Sequence, residues 1–188
     1  MNKQNEKVRI GIIGVGNCAS SLVQGLHYYR DADASAFVPG LMHVNLGGYH
    51  IRDVEIVSAI DIDAEKVGKD VSAAIFAGHN NTTKFSDVPF LDVPVVRGMR
   101  HDGLGLELSR IISVAPGEAV NVSKYWRETG TEIVVNYLPV GSEMATKWYV
   151  EQVLEAGCAF VNAIPVFIAS QEYWAKRFRE RGLPIIGD

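Results

Sequence analysis

Eight residues near the amino terminus have the types and spacing of a phosphate-binding turn: Gly14-Val15-Gly16-Asn17-Cys18-Ala19-Ser20-Ser21. Gly14 would allow a tight turn, Gly16 would let a pyrophosphate approach the backbone, and Ala19 takes the place of the third glycine in the GxGxxG pattern. The free N–H groups at the start of a following helix would face the phosphates. The turn therefore predicts dinucleotide binding, although glycine turns between a strand and a helix also occur for structural reasons alone.

The elements on either side of this turn favour the binding interpretation. Residues 8–13 form an apolar run typical of a strand buried in a parallel sheet, and residues 22–29 have helical spacing. Strand, glycine turn and helix follow one another in the order that a dinucleotide site requires.

Asp61 is the candidate ribose ligand, because it directly follows a second predicted strand at residues 54–60. A carboxylate there would accept both hydroxyls of the adenosine ribose and repel the extra phosphate of NADP, so the predicted cofactor is NAD. The alternative is that Asp61 or Asp63 caps a helix starting at Ala64, since Asp is a preferred cap. We favour ribose contact for Asp61 and capping for Asp63, with Asp70 as a reserve candidate.

A long insertion without sustained periodicity, residues 31–52, separates the first predicted helix from the second strand. It accounts for an interval between the glycine turn and Asp61 that exceeds the usual 20 residues or so. His43 and His50 lie within it and could suggest a metal, but no third ligand is nearby. We therefore predict no metal site.

The remainder of the chain alternates between predicted helices and strands. A helix over residues 64–76 is broken at 78–83, and a short edge strand follows around Val95 and Val96. After that come a helix from Pro116 to Gly130, a strand at 131–139, a helix at 141–156, a strand at 159–165, a helix at 170–182 and a last strand at 183–187. This order predicts an α/β fold, a Rossmann-type doubly wound parallel sheet, in a single domain over residues 1–188.

The end of the strand at 131–139 supplies further candidate contacts. Tyr137, Leu138 and Pro139 lie at the sheet edge that carries the glycine turn, so they are placed to touch a cofactor. In the next helix, Trp148 and Tyr149 are expected to be core rather than cofactor residues by their spacing. Residue patterns for nucleophilic, paired-carboxylate or metal catalysis do not stand out, so no catalytic residue is predicted.

Composition restricts the class of partner. The 188 residues are 47% hydrophobic and 21% charged, as expected for a globular domain. A net charge of −4 without a Lys/Arg block argues against nucleic acid and anionic membrane partners. Cys18 and Cys158 are too few for a disulfide framework, and the polar residues 1–7 leave no room for a signal peptide, so we expect a cytoplasmic protein.

Several stretches closely resemble the bacterial and archaeal type of inositol-1-phosphate synthase. They are GVGNCASSLVQGL (14–26), VPGLMHV (38–44), DVEIVSAIDIDAEKVGKD (53–70), NYLPVGSE (136–143) and FVNAIPVFIAS (160–170). The similarity runs from about residue 8 to the end of the chain. The GNCASS and PGLMHV stretches are specific enough to make coincidence improbable.

This resemblance implies an isomerase of inositol and phospholipid biosynthesis that converts D-glucose 6-phosphate to 1D-myo-inositol 3-phosphate. The implied reaction oxidises the sugar at C5 with tightly held NAD, closes the ring through an enolate in an intramolecular aldol step, and reduces the ketone with the same NADH. The family also has a second α+β domain, which forms a homotetramer and carries the lysines that bind the phosphate. Those lysines match no position here, so we expect this chain to supply only the NAD-binding part and not to turn over the sugar by itself. A cation requirement is left open.

Carried over residue by residue, the resemblance implies only cofactor contacts. These are Gly14, Gly16, Asn17, Cys18, Ala19, Ser20, Asp61, the turn at Tyr137, Ala163 and Asp188, while Asp70 and Tyr149 match family residues near NAD. Two alternatives remain: a stand-alone NAD-binding or regulatory module, and a Rossmann-fold dehydrogenase.

Overall fold

The computed structural model describes residues 7–188, whose elements alternate between strands and helices. In chain order they are β1 (Val8–Ile13), α1 (Asn17–Tyr28), β2 (Asn45–Leu46), β3 (Tyr49–His50), β4 (Val54–Asp61), α2 (Val71–Ala74), β5 (Val95–Arg97), α3 (Val122–Glu128), β6 (Ile133–Asn136), α4 (Glu143–Ala156), β7 (Ala159–Asn162), α5 (Glu172–Glu180) and β8 (Ile185–Ile186). Two short 3-10 helices span Ile51–Asp53 and Leu108–Arg110.

Six of the strands form one parallel sheet in the order β5-β4-β1-β6-β7-β8. Counted along the chain within this sheet, the order is 3-2-1-4-5-6, which is that of the doubly wound dinucleotide-binding fold. The winding reverses between β1 and β6, where Ile13 pairs with Asn136. The predicted Rossmann-type fold is confirmed, and the switch point lies beside the glycine turn.

Apolar side chains cover both faces of the sheet in two separate clusters. Val23 of α1 and Ile75, which follows α2, belong to one cluster, together with Ile12 of β1. Trp126 of α3 and Val150 of α4 belong to the other cluster. Burial on both faces explains why the strand sequences are nearly continuous hydrophobic runs.

Gly11 interrupts the apolar run of β1 because neighbouring strands approach closely there. Ser58 of β4 and Thr131 share a buried hydrogen bond of 2.8 Å between their hydroxyls. A Cβ on Gly11 would collide with the Ser58 hydroxyl and lie 3.0 Å from the methyl group of Thr131. A glycine at the centre of the sheet therefore leaves room for a polar link across β1.

The predicted helix over residues 64–76 is wrong for most of its length. The Asp63 carboxylate accepts a hydrogen bond from the N–H of Glu65 at 2.9 Å, and Gly68 adopts a φ of +86°. Both features favour a turn, so the helix is restricted to the four residues of α2. Asp63 was predicted to cap a helix, but its carboxylate stabilises this turn instead.

Two other predicted elements differ in their bounds. Pro116 does not open a helix, because α3 begins at Val122 after Asn121, whose side chain accepts from the N–H of Lys124 at 3.0 Å. The insertion at 31–52 contains the β2–β3 hairpin. The edge strand expected near Val95 is confirmed as β5.

His50 has a structural role in this insertion. Its ring Nδ1 accepts from the N–H of Arg52 at 3.0 Å, and its Nε2 lies 2.9 Å from the carbonyl oxygen of Ala32. Among residues 7–188, no group of three or more His, Cys, Asp or Glu side chains could hold a metal ion. In the same residues, no helix is both long and apolar enough to cross a bilayer.

Candidate functional site

A cleft of about 470 Å³ opens where the carboxyl ends of β1, β4 and β6 meet. Ten of the residues predicted from the sequence line it: Gly14, Gly16, Asn17, Cys18, Asp61, Tyr137, Leu138, Pro139, Tyr149 and Ala163. This is the position at which doubly wound sheets bind their ligands. The structure therefore brings most of the predicted site together.

Gly14 is fixed by the end of β6 on one side and by β4 on the other. Its φ is +85°, and a Cβ would lie only 2.7 Å from the carbonyl oxygen of Tyr137. Its N–H donates to the carbonyl of Ile60 at 2.9 Å. Any side chain here would push the turn away from the sheet, so this glycine is required by the fold itself.

Gly16 differs from Gly14 because the space beside it is open. A Cβ at Gly16 would meet no atom within 4 Å, and its φ of −92° is one that any residue adopts. The fold alone therefore does not require glycine here. An open space at this point of the turn is what a pyrophosphate needs in order to approach the backbone.

Helix α1 begins at this turn with its first N–H groups directed toward the cleft end of the sheet. Gly16 is the N-cap, and no side chain of residues 7–188 caps the helix. No acidic residue lies in its first turn, so none of the helix's own side chains neutralises the positive end of its dipole. Asn17 and Cys18 line the cleft. This helix end is suited to an anionic group.

Ala19 and Ser20 are fully buried and do not belong to the cleft lining. Ala19 packs in the same apolar cluster as Ile12 of β1, as expected for the position of the third glycine. The Ser20 hydroxyl accepts a hydrogen bond from the Gln24 amide at 3.2 Å. Both residues thus act through the packing of α1.

Asp61 faces the glycine turn from the end of β4. Its Oδ2 accepts from the N–H of Val15 at 2.7 Å, and its Oδ1 accepts from the N–H groups of Ile62 and Asp63 at 2.7 and 2.9 Å. Since a carboxylate offers about four acceptor positions, these three bonds leave one for a ligand. The open position is on Oδ2, which accepts only the Val15 N–H, whereas Oδ1 already accepts two hydrogen bonds.

A buried amide network fixes the opposite wall of the cleft. The Asn136 amide donates to the side-chain oxygen of Asn162 at 2.9 Å, and its own oxygen accepts from the N–H of Leu138 at 3.2 Å. The Asn162 amide donates to the carbonyls of Ile164 and Val166 at 3.1 and 2.7 Å. These bonds hold the turns that present Leu138 and Ala163 to the cleft.

Tyr149 of α4 is 2% exposed. Burial raises the pKa of its hydroxyl, and the negative charge of Asp61 raises it further. The expectation of a core residue is met, yet Tyr149 also lines the cleft. Gly98 permits this arrangement, because a Cβ there would collide with the tyrosine hydroxyl.

Asp102 anchors the loop that follows β5 to the start of α4. Its carboxylate accepts from the N–H groups of Met144 and Ala145 at 2.7 and 2.8 Å. The α4 N-cap, Ser142, makes no side-chain capping bond, so Asp102 takes over that role from 42 residues away. The neighbouring His101 ring packs against Trp148 with centroids 5.0 Å apart and lines the cleft.

Asp70 and Asp188 do not line the cleft. Asp70 caps α2 and also accepts from the N–H groups of Leu91 and Val93 at 3.2 and 2.8 Å. Asp188 accepts from the N–H groups of three consecutive residues, at positions 168–170. In this structure both carboxylates bind backbone rather than face the cleft.

Several lining residues were not predicted as site residues: Asp63, which was expected to be a cap, and Lys66, His79, Asn80, Met99, His101, Asp102, Leu104, Leu108, Ile111 and Ile112. They come from two segments, residues 63–80 and 99–112. Asp63 and Lys66 fell at the start of the predicted helix, and the others lie in stretches without a sustained helical or strand period. The run of polar residues at 79–83 was the available signal. Within this set, Ile111 and Ile112 add apolar surface suited to a planar base.

The cleft as a whole fits a dinucleotide. The glycine turn supplies a backbone cradle, Gly16 leaves the space above it open, and Asp61 keeps one acceptor position. The remaining walls are largely apolar, as in most cofactor sites. The chain's own residues therefore meet the requirements of a pyrophosphate, a ribose and a base.

Comparison with known proteins confirms the family resemblance. No family model matches the chain. The chain is 54% identical over all 188 residues to inositol-3-phosphate synthase of Mycolicibacterium smegmatis, covering 52% of that protein. It is 51% identical over 181 residues to that of Corynebacterium glutamicum, which is 96% of the chain and 50% of that protein. The chain thus spans about half the length of the curated relatives that it matches.

A solved structure supports the fold over nearly the whole chain. The crystal structure of a protein named Ari2 is 30% identical and superimposes with a TM-score of 0.82. The match covers 97% of this chain and 54% of that protein. The fold described above is therefore also found in a solved crystal structure.

Proposed function

We propose that this chain forms the NAD-binding part of an inositol-3-phosphate synthase, an isomerase that converts D-glucose 6-phosphate to 1D-myo-inositol 3-phosphate. The observation that supports this most strongly is the cleft at the switch point of the sheet. There the Asp61 carboxylate accepts a hydrogen bond of 2.7 Å from the backbone N–H of Val15 in the glycine turn. The 54% identity to a named synthase supports the same conclusion.

Each part of the cofactor would contact its own residues of the cleft. Gly16 and the first N–H groups of α1 would hold the pyrophosphate, and Asp61 would accept a hydroxyl of the adenosine ribose. Leu138 and Ala163, on the turns after β6 and β7, would contact the nicotinamide half. When bound, NAD supplies a hydride acceptor whose reduced form returns the hydride, so the isomerisation has no net redox change.

Selectivity for NAD over NADP follows from the charge at the ribose. A 2′-phosphate on the ribose would come next to the Asp61 carboxylate, and its negative charge would be repelled. Lys66, which also lines the cleft, is already engaged with Asn80 at 3.1 Å and Asp63 at 3.8 Å. Its ammonium is therefore not free to neutralise an added phosphate.

The remaining parts of the proposal rest on the resemblance alone. They are a cytoplasmic location, assembly into a homotetramer and a role in inositol and phospholipid biosynthesis. The sugar substrate also rests on the resemblance.

Calorimetric titration of NAD and NADP into the purified chain tests the cofactor. We expect NAD to bind and NADP to bind at least tenfold more weakly, since one repulsive contact of about 1.4 kcal/mol suffices for that ratio. Absence of NAD binding, or equal binding of the two, would contradict the proposal. With NAD and glucose 6-phosphate supplied together, net formation of NADH without inositol phosphate would indicate a dehydrogenase instead.

A further inference from the structure

The loop at residues 78–83 is held against the outside of the glycine turn at two points. The Asn80 amide donates to the carbonyl oxygen of Val15 at 3.0 Å, and Val15 lies between the two glycines. The Asn17 side-chain oxygen accepts from the N–H groups of Asn81 and Thr82 at 2.9 and 3.2 Å, and from the Thr82 hydroxyl at 3.0 Å. The loop therefore contacts the turn on both sides of Gly16.

A buried ion pair under this loop orients the Asn80 amide. The Lys66 ammonium donates to the Asn80 side-chain oxygen at 3.1 Å and lies 3.8 Å from the Asp63 carboxylate. Lys66 is 6% exposed and Asp63 is 3% exposed, so the pair is almost fully desolvated. With its oxygen bound to Lys66, the amide directs its NH₂ group at the carbonyls of Val15 and Ile75, both at 3.0 Å.

We propose that Asn80, oriented by Lys66, is a positioning residue that sets the phosphate turn in the geometry that binds a pyrophosphate. This inference rests on the proposed function, since the ligand is the dinucleotide. Val15 is held through both of its backbone groups, its N–H by Asp61 and its carbonyl by Asn80, so the two successive peptide groups between Gly14 and Gly16 are each restrained. Without Asn80 the turn loses one of these restraints and has to be ordered on binding, which weakens affinity.

The two ends of the dinucleotide would contact different parts of the cleft. Asn80 contacts the turn that faces the pyrophosphate, whereas the adenosine side is formed by Asp61 and the apolar segment around Ile112. Loss of Asn80 should therefore weaken ligands that carry the pyrophosphate and leave adenosine nearly unaffected. General damage to the fold would weaken both classes of ligand alike.

Ligand-observed NMR titration of the whole chain with NAD, ADP and adenosine tests this inference. Asn80→Ala is expected to weaken NAD and ADP about tenfold and adenosine less than twofold. Asn45→Ala is the matched control, because Asn45 is exposed in the β2–β3 hairpin and does not line the cleft. It should leave all three affinities unchanged.

Lys66→Met tests whether the hydrogen bond from Lys66 orients Asn80, with Asn80 itself still present. We expect a smaller loss with the same dependence on the pyrophosphate, and rescue of NAD and ADP binding in Lys66→Arg. Lys69→Met, at an exposed lysine three residues away, is its control. Equal losses for adenosine and ADP, or no loss for either, would overturn the inference. Failure of the unmodified chain to bind NAD and ADP would instead contradict the proposed function.

Discussion

The Asp61 carboxylate at the end of β4 accepts a hydrogen bond of 2.7 Å from the backbone N–H of Val15, inside the glycine turn between β1 and α1. The residue that would select the ribose therefore also holds the turn that would bind the pyrophosphate. Two functions that can be assigned separately from sequence are physically coupled. A change at Asp61 should affect both halves of the adenosine diphosphate.

Asp61→Ala should weaken NAD binding and reduce the preference for NAD over NADP. Loss of a hydrogen bond to a charged acceptor costs about 1.5–3 kcal/mol, so the NAD dissociation constant should rise at least tenfold. NADP binding should change less, because a repulsion is removed together with the contact. Titration of both nucleotides measures this, with Asp31→Ala at an exposed carboxylate as control. An unchanged ratio of the two affinities would contradict the role of Asp61.

Asp102→Ala should destabilise the fold by about 1–2 kcal/mol, because the first N–H groups of α4 lose their only side-chain cap within residues 7–188. Urea unfolding measures the free energy from the midpoint and slope. Glu118→Ala, at an exposed carboxylate, should have an effect within about 0.5 kcal/mol. Equal stability of the two variants would show that the cap is unimportant.

Gly98→Ala should destabilise the chain by about 1–3 kcal/mol, because the added methyl group would overlap the Tyr149 hydroxyl and lie only 2.5 Å from a side-chain methyl of Ile60. Gly105→Ala is the matched control in the same loop, since a Cβ there would meet nothing within 4 Å. The double variant Gly98→Ala with Tyr149→Phe should recover part of the lost stability. A cost that is equal for the two glycines would rule out these close contacts as the cause. A cost that is not relieved in the double variant would assign it to Ile60 rather than to Tyr149.

Acid should remove a stabilising contribution of Asp70. Partial burial raises the pKa of its carboxyl, but hydrogen bonds from the Ser72 hydroxyl and from the N–H groups of Val93, Ser72 and Leu91 lower it by more. With a folded pKa below the unfolded value of about 3.9, the contribution is complete above that value and is lost as the pH falls through the folded pKa. Asp70→Asn should thus cost stability at neutral pH and progressively less below about pH 4.

The test is to measure the unfolding free energies of the unmodified chain and of Asp70→Asn from neutral pH to about pH 3 and to compare them at each pH. Asp31→Asn, at an exposed carboxylate, should show no such pH dependence. If the unfolding free energies of the unmodified chain and of Asp70→Asn differ by the same amount at every pH, the charge of the carboxylate is not the cause of the difference.

The glycine turn, Asp61 and the doubly wound order could be predicted because each leaves a local pattern in the sequence. Gly14 and Asp61 directly follow apolar runs, so the order of elements alone places both at one sheet edge. The same argument correctly placed Tyr137 at that edge. The helix predicted over residues 64–76 includes α2 but is too long, because the start of α2 is set by Gly68 and Asp70 and not by periodicity.

The rest of the cleft could not be predicted because it depends on contacts between distant residues. Asn80 reaches a carbonyl 65 residues away, and Asp102 caps a helix 42 residues away. Both lie in loops, whose sequence pattern contains no information about their partners. Asp188 was expected to contact the cofactor, yet it binds the N–H groups of residues 168–170, which follow β7. Sequence position at a strand end does not fix where a carboxylate points.

The dissociation constant of NAD for Gly16→Val, compared with that for Gly25→Ala, tests the central claim most directly. Neither glycine has an atom within 4 Å of an added Cβ, and neither has a positive φ, so both variants should fold. Gly25 lies within α1, away from the cleft lining, whereas Gly16 borders the space assigned to the pyrophosphate. We predict that Gly16→Val loses NAD binding by at least a hundredfold, about 2.7 kcal/mol, while Gly25→Ala binds like the unmodified chain. Equal NAD affinity in the two variants would contradict a pyrophosphate site on this turn.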